Sequence, residues 1–137
     1  MKASAIANAN IALVKYWGKR NSELMLPQNG SISMTVSDLV AHTTVEFGSF
    51  PEDSLIINDQ KLSKGTEEYD EYVGIFLNVA RNIIKKDLKA KIVSKSNFPI
   101  AAGLASSAAG FAALALATSK ALNLPLDEKS VSILSHF

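Results

Sequence analysis

Two short segments of this 137-residue sequence carry side chains that could bind negatively charged groups. The first reads Lys15-Tyr16-Trp17-Gly18-Lys19, with two lysines four residues apart and a glycine that allows the chain to bend. That spacing places both ammonium groups on one face, whether the backbone is extended or helical. Lysines beside a tyrosine hydroxyl can bind a diphosphate or a carboxylate. Taken alone, the segment slightly favours a solvated basic turn with Trp17 packed on the core.

The second segment, residues 99–110, reads Pro-Ile-Ala-Ala-Gly-Leu-Ala-Ser-Ser-Ala-Ala-Gly. Gly103 and the alanines around it would let the backbone approach a ligand closely. Ser106 and Ser107 stand where a helix is predicted to begin, and the free N–H groups of a first turn can bind an anion. No lysine follows the loop, so a cation for a phosphate must come from elsewhere. The alternative is a helix start made of small residues for tight packing on a sheet.

Composition excludes several other kinds of site. The net charge of +1 gives no long-range attraction to nucleic acid or an anionic membrane. There is no cysteine, which excludes disulfides and thiolate metal sites and fits a reducing compartment. His42 and His136 belong to no triad pattern, and the aspartates lack ligand-like spacing, so no metal site is predicted. The apolar stretch 100–117 is rich in alanine and serine, which argues against a membrane span.

The elements that must position these segments alternate between strands and helices. Strands are predicted over 3–16, 31–36, 43–47, 54–57 and 90–94, and helices over 66–86 and 106–122. Thr66 is predicted to cap the first helix with its side chain, and Asp127 to cap a third. Apolar residues at helical spacing mark the buried face of the first helix: Tyr69, Tyr72, Val73, Phe76, Leu77, Ala80 and Ile84. The order predicts an α+β layer with helices on one face.

Three blocks carry a resemblance to a known family. They are residues 10–20 (Asn-Ile-Ala-Leu-Val-Lys-Tyr-Trp-Gly-Lys-Arg), 26–35 (Leu-Pro-Gln-Asn-Gly-Ser-Ile-Ser-Met-Thr) and the loop and helix at 98–114. Together they resemble the GHMP kinase superfamily and, within it, the mevalonate diphosphate decarboxylases. The resemblance implies a GHMP-kinase N-terminal domain (ribosomal protein S5 domain 2-like), with a mixed or antiparallel sheet and helices on one face. Residues 1–137 would be part of this ATP- and substrate-binding domain, with the rest of it and a C-terminal domain expected beyond the chain.

The same resemblance implies a reaction and residue roles. Mg-ATP would phosphorylate the 3-hydroxyl of mevalonate 5-diphosphate, and loss of phosphate and carbon dioxide would give isopentenyl diphosphate. Lys15 matches the catalytic lysine near the reacting hydroxyl. Tyr16, Trp17, Gly18 and Lys19 match the substrate side. The ATP-binding loop matches Ala102, Gly103, Leu104, Ala105, Ser106 and Ser107. The implied cofactors are ATP and Mg²⁺, the location is cytoplasmic, and a homodimer is left open.

Some positions depart from the family pattern. Gly30 stands where many members have serine, and Asn8 where many have proline. Acidic residues at 67–71 replace an arginine that some members place at the start of that helix. Members are at least about twice as long, and their catalytic aspartate lies beyond the matched part. The 137 residues alone are therefore expected not to complete the reaction.

Three alternatives remain at this stage. A mevalonate or phosphomevalonate kinase of the same superfamily is opposed by the sequence around Lys15, which is decarboxylase-like. An RNA-binding module fits the fold but not the near-zero charge. An inactive remnant would expose apolar surface and self-associate.

Overall fold

The computed structural model describes residues 1–14, 18–21, 26–27, 30–98, 106–124, 127 and 130–131, with the backbone alone at 19–21, 26–27, 106 and 107. Seven strands are present in this part of the chain. They are β1 (Lys2–Val14), β2 (Lys19–Asn21), β3 (Leu26–Pro27), β4 (Ile32–Gly48), β5 (Ser54–Ile57), β6 (Gln60–Leu62) and β7 (Lys89–Ser96).

Five of the strands form one mixed sheet in the order β1-β4-β7-β5-β6. β1, β4 and β7 are joined by antiparallel pairings, β5 runs parallel to β7, and β6 closes a hairpin with β5. β2 and β3 form a separate two-stranded sheet. The predicted α+β class, with a mixed sheet, is confirmed.

Along the chain, one helical segment falls between the parallel strands β5 and β7, and a second follows β7. The first runs as α1 (Glu67–Tyr69), a π-helix (Asp70–Phe76) and α2 (Leu77–Ile84), and the second is α3 (Ser106–Ala121). Five of the seven apolar positions predicted for the first helix are buried, with Tyr69 and Ile84 half-buried. No helix in the described residues is long and apolar enough to cross a membrane.

Both helices pack on the same face of the sheet, where the main core forms. Alternate strand residues point into it because side chains in a strand alternate between the two faces. The largest fully buried side chains include Phe47, Leu55, Phe76, Ile92 and Leu114. α3 lies across β1 and β4, as predicted for a helix that is apolar on most sides.

An ion pair ties the loop before β5 to α2 and β7. Arg81 Nη2 donates to Asp53 Oδ1 at 2.6 Å, with both side chains nearly buried. The same carboxylate oxygen accepts the Ala90 amide at 2.8 Å, and Arg81 Nε donates to the Leu88 carbonyl at 3.0 Å. The three segments are therefore held by charge-assisted hydrogen bonds, which are stronger than neutral ones.

Some local predictions are wrong. The strands predicted at 31–36 and 43–47 are one strand, β4, because a bulge carries the chain through the residues between them. β2, β3 and β6 were not predicted; each has only two or three residues. Thr66 precedes α1 but makes no side-chain cap, since its hydroxyl donates to the Ser63 carbonyl. Asp127 does cap, accepting the Ser130 amide at 2.8 Å, and hydrogen bonds from the Ser130 side chain and amide lower the pKa of its carboxyl group.

Candidate functional site

The first candidate segment follows the free end of a two-stranded ribbon. Val14, the last residue of β1, pairs with Ile32, the first residue of β4. β7 reaches along β4 only as far as Ala41, so Ala9–Val14 and Ile32–Val36 extend past it. We call these two stretches the ribbon. Lys15, which follows Val14 directly, is thereby attached to one defined end of the sheet.

The second candidate segment precedes α3, whose start lies toward the same end. Ala109, in the first turns of α3, packs in a small buried cluster with Ala9, Ala41 and Phe98. Later residues of α3, such as Leu114 and Ala121, belong to the main core with Ala5 and Phe47. α3 therefore runs antiparallel to β1, and its N-terminus faces the ribbon end of the sheet.

The side chains with proposed chemistry are only partly covered by the structure. Lys15, Tyr16 and Trp17, and also Ala102, Gly103, Leu104 and Ala105, lie outside the described residues. Lys19 is described by its backbone, which pairs with Pro27 between β2 and β3, and Ser106 and Ser107 by theirs, which begins α3. The convergence of the two lysines on the loop at 99–105 stays a prediction, supported by the shared end of the sheet.

Gly18 has the backbone conformation that the bend requires. Its φ of +100° lies in a region that residues with a Cβ rarely adopt. Gly18 lies between the end of β1 and the short strand β2. It therefore has the conformation that suits the bend predicted from the sequence.

A bulge in β4 shapes the sheet where β7 ends. The register jumps from Asn8↔Val40 to Ala9↔Val36, which leaves residues 37–39 without partners on β1. The side-chain Nδ2 of Asn8 donates to the Ser37 carbonyl at 2.9 Å. This bond satisfies a backbone group that the bulge removes from the ladder of strand hydrogen bonds. Bulges of this kind often re-aim a strand beside a functional site.

Asn97 fastens the end of β7 to the same bulge. Its Oδ1 accepts the Val40 amide at 2.8 Å, and its Nδ2 donates to the Asp38 carbonyl at 2.7 Å. Two residues later the candidate phosphate segment begins, so these bonds fix the point from which it leaves the sheet. Asn97 is not among the residues that the sequence predicted for the site; an asparagine directly before a small-residue loop was the available signal.

The start of α3 is electrostatically suited to an anion. Its first turn contains no acidic residue, so the free N–H groups and the positive end of the helix dipole are not offset by a side chain of that turn. A phosphate bound there would therefore meet a favourable local field.

Other regions of the described structure offer less. No three histidine, aspartate or glutamate side chains of the described residues lie close enough to hold a metal ion. An open depression of about 550 Å³ lies at the end of α2, lined in part by Arg81, Lys85 and Lys86. Arg81 is already paired with Asp53, and a helix C-terminus disfavours anions. This depression is therefore less suited to binding an anion than the ribbon end.

Comparison with known proteins decides the family. Residues 7–136 match the model of the diphosphomevalonate decarboxylase-like N-terminal domain. The chain belongs to this family. The match includes the lysine-bearing segment, the bulge, Asn97 and the segment before α3, so every candidate feature lies within the family domain.

Individual relatives agree with this assignment. A diphosphomevalonate decarboxylase from Eremothecium gossypii is 45% identical over 141 residues, covering 95% of this chain and 36% of the relative. The crystal structure of mevalonate diphosphate decarboxylase from Staphylococcus aureus superposes with a TM-score of 0.87 at 39% identity, covering 98% of this chain and 40% of that one. A structure described as MDDEF in complex with MVAPP, AMPPCP and magnesium gives 0.85 at 42% identity, covering 99% and 41%.

The domain of the diphosphomevalonate decarboxylase-like family covers the described fold from residue 7 onward. The chain spans roughly two fifths of the length of these relatives. The TM-scores confirm the GHMP-kinase N-terminal fold that the resemblance implied. Activity, substrate and cofactors belong to the longer proteins and are taken up as proposals.

Proposed function

We propose that this chain is the N-terminal part of an ATP-dependent decarboxylase that converts mevalonate 5-diphosphate to isopentenyl diphosphate. The observation that carries the proposal is the family match over residues 7–136. The shared end of the sheet supports it, because the lysine-bearing segment and the start of α3 both leave from there.

The proposed reaction needs a leaving group before carbon dioxide can depart. Transfer of the γ-phosphoryl group to the tertiary 3-hydroxyl replaces a poor leaving group with a good one. Phosphate then leaves with the C3–O electron pair, and the bond to the carboxylate carbon supplies the electrons of the new double bond. The products are isopentenyl diphosphate, carbon dioxide, phosphate and ADP, which balances both steps.

The chain's own residues would mainly position and neutralise charge. Lys15 is the proposed catalytic residue, placed near the reacting hydroxyl, and Lys19 the diphosphate contact, with Tyr16, Trp17 and Gly18 completing the substrate side. In phosphoryl transfer, such positioning and charge neutralisation supply most of the catalysis. The segment at 102–107 and the first turn of α3 would hold the ATP phosphates.

Mg²⁺ is proposed as the companion of ATP. It keeps several waters and binds phosphates with only one or two protein oxygens, so a protein carboxylate cluster is not required. The bound AMPPCP and magnesium of the MDDEF structure support this choice of cofactors. A cytoplasmic location and a homodimer are also proposed; cell fractionation tests the location and sedimentation tests the dimer.

The test uses the full-length protein that carries this chain. Carbon dioxide release from carboxyl-labelled mevalonate 5-diphosphate should require ATP and Mg²⁺. Lys15→Ala should lower kcat by about a hundredfold or more, and Lys19→Ala should raise the KM for the substrate about tenfold, as expected for lost charge contacts in a phosphoryl-transfer site. Lys2→Ala is the matched control, since Lys2 pairs with Glu46 on the exposed surface. A stable phosphorylated product without carbon dioxide would instead identify a kinase.

A further inference from the structure

The start of α3 is held from two sides, and one of them is an unusually close fit. On the sheet side, Ala109 is buried against Ala9 and Ala41. On the other side, Tyr72 of the π-helix reaches Gly110 so closely that a Cβ on this glycine would collide with the tyrosine hydroxyl oxygen. The Cζ atom would lie 3.4 Å from the same Cβ. The missing side chain of Gly110 therefore forms a notch that the hydroxyl fills.

The tyrosine ring has little freedom to move out of this notch. Tyr72 is 6% exposed. Its ring lies with its centroid 4.5 Å from that of Phe111, and Phe76 contacts the same phenylalanine from the next turn. A packed interior transmits a displacement to its neighbours and does not absorb it. The contact thus couples the π-helix rigidly to the first turns of α3.

Tyr72 belongs to the π-helix. A π-helical segment has wider turns than an α-helix and occurs frequently at functional sites. Here Asp70–Phe76 carries Tyr72, Val73 and Phe76 in the buried face. The glycine at 110 would weaken a helix without a compensating role, because glycine is among the poorest helix formers.

We infer that the Tyr72 hydroxyl seated at Gly110 is a positioning device that sets the nucleotide affinity of the site through the placement of the first turns of α3. The inference rests on the proposed function, in which this helix start holds the ATP phosphates. Gly110 lies four residues after Ser106, so a shift there moves the N–H groups of the first turn. A misplacement of about 1 Å can cost on the order of a hundredfold in rate.

Three variants of the full-length protein test the fit. Gly110→Ala adds a methyl group against the hydroxyl and should raise the KM for ATP about tenfold, with the KM for mevalonate diphosphate nearly unchanged, because it shifts the phosphate-binding turn. Tyr72→Phe removes the hydroxyl and should raise the KM for ATP by roughly threefold, since the notch is left empty. In the double variant the methyl group takes the place of the hydroxyl, and the KM should return to within about twofold of wild type.

Gly74→Ala is the matched control. Gly74 is exposed in the π-helix, and a Cβ there would meet only the Asp70 Cβ, at an ordinary 3.9 Å. This variant should leave every kinetic constant unchanged. A role limited to stability would lower Tm without changing the KM for ATP of the folded protein.

The outcomes separate the two proposals. A wild-type protein that releases no carbon dioxide with ATP overturns the proposed function itself. The positioning role is overturned if the wild type is active but Gly110→Ala leaves the KM for ATP unchanged. It is also overturned if the KM for ATP of the double variant is as high as that of Gly110→Ala. If Gly110→Ala does not fold, the double variant decides: a folded protein with near-normal KM supports the fit, and failure to fold or a raised KM refutes it.

Discussion

The two ends of the main sheet are built on different principles. At one end, which we call the closed end, Val45, Phe47, Leu55 and Ile92 lie beneath the helices and are fully or almost fully buried. At the ribbon end, Leu13 and Ile32 are 64% and 63% exposed, and the buried cluster is mostly alanine. Large apolar side chains stabilise the closed end by burial. Small ones at the other end let backbone and helix approach closely, which is what a ligand-binding loop requires.

This difference separates stability from function along one pair of strands. β1 and β4 run through both ends, so the closed end anchors the strands whose far ends carry the candidate site. Substitutions at the closed end should mainly change the free energy of unfolding. Substitutions at the ribbon end should change it little and affect binding instead.

The largest difference in the free energy of unfolding is expected between a leucine-to-alanine substitution in the main core and the same substitution on the ribbon. Leu114→Ala, at a fully buried position in α3, should lower the free energy of unfolding by about 2–5 kcal/mol through lost burial and a cavity. Leu13→Ala on the ribbon should cost less than about 0.5 kcal/mol. Urea unfolding followed by circular dichroism measures both. Equal losses would show that the ribbon is as tightly packed as the core.

Loss of a polar contact should likewise lower the free energy of unfolding more at the closed end than on the ribbon. Asp53→Asn removes the closer carboxylate from the nearly buried Arg81 guanidinium, leaving only the exposed Asp87 carboxylate 3.8 Å from its Nε, and should cost about 3 kcal/mol. Asn10→Ala removes one exposed hydrogen bond to Ser33 on the ribbon and should cost under about 0.5 kcal/mol. Thermal unfolding compares the two proteins. A loss at Asp53 no greater than that at Asn10 would mean that solvent already screens the ion pair.

Alkaline pH should weaken the contact between the π-helix and α3. Burial, aided by the charges of Glu71 and Glu68, raises the pKa of Tyr72 from 10.0 to about 12. Below pH 10 the hydroxyl is neutral in both states and its contribution to stability is complete. Between pH 10 and 12 it ionises only in the unfolded chain, so the contribution falls by roughly 2–3 kcal/mol. Tyr72→Phe should flatten this part of the pH dependence of unfolding, and an unchanged slope would contradict the assignment.

A smaller loss of stability than at Leu114, Asp53 or Tyr72 is expected at Asn97, where the two ends meet. Asn97→Ala removes one acceptor and one donor from the bulge of β4 and should cost about 1 kcal/mol. The Val40 amide should then exchange its hydrogen faster, as seen by nuclear magnetic resonance. Asn97→Asp keeps the acceptor for that amide and should retain its protection. Rapid exchange in both variants would show that the amide is protected by something else.

The sequence predicted the elements better than their local details. The buried face of the helix at 67–84 followed from apolar spacing, and the central position of α3 from its lack of a polar face. The bulge of β4 could not be predicted, because it depends on Asn8 and Asn97, which are distant in sequence and supply the hydrogen bonds that tolerate it. The Thr66 hydroxyl donates to the nearby Ser63 carbonyl and does not cap the helix. The sequence alone does not show which of these local hydrogen bonds is favoured.

For the site, the motifs at 10–20, 26–35 and 98–114 identified the family, and the comparisons confirm it. That the first and third motifs lie at the same end of the sheet follows only from the register of β1 against β4 and from the direction of α3. The close fit of Tyr72 at Gly110 likewise joins residues 38 positions apart. Local patterns thus determined which segments are strands, helices and candidate loops, because periodicity and residue size act over a few neighbours. Tertiary structure alone decided which of those segments meet, because packing and hydrogen bonding join residues that the chain keeps far apart.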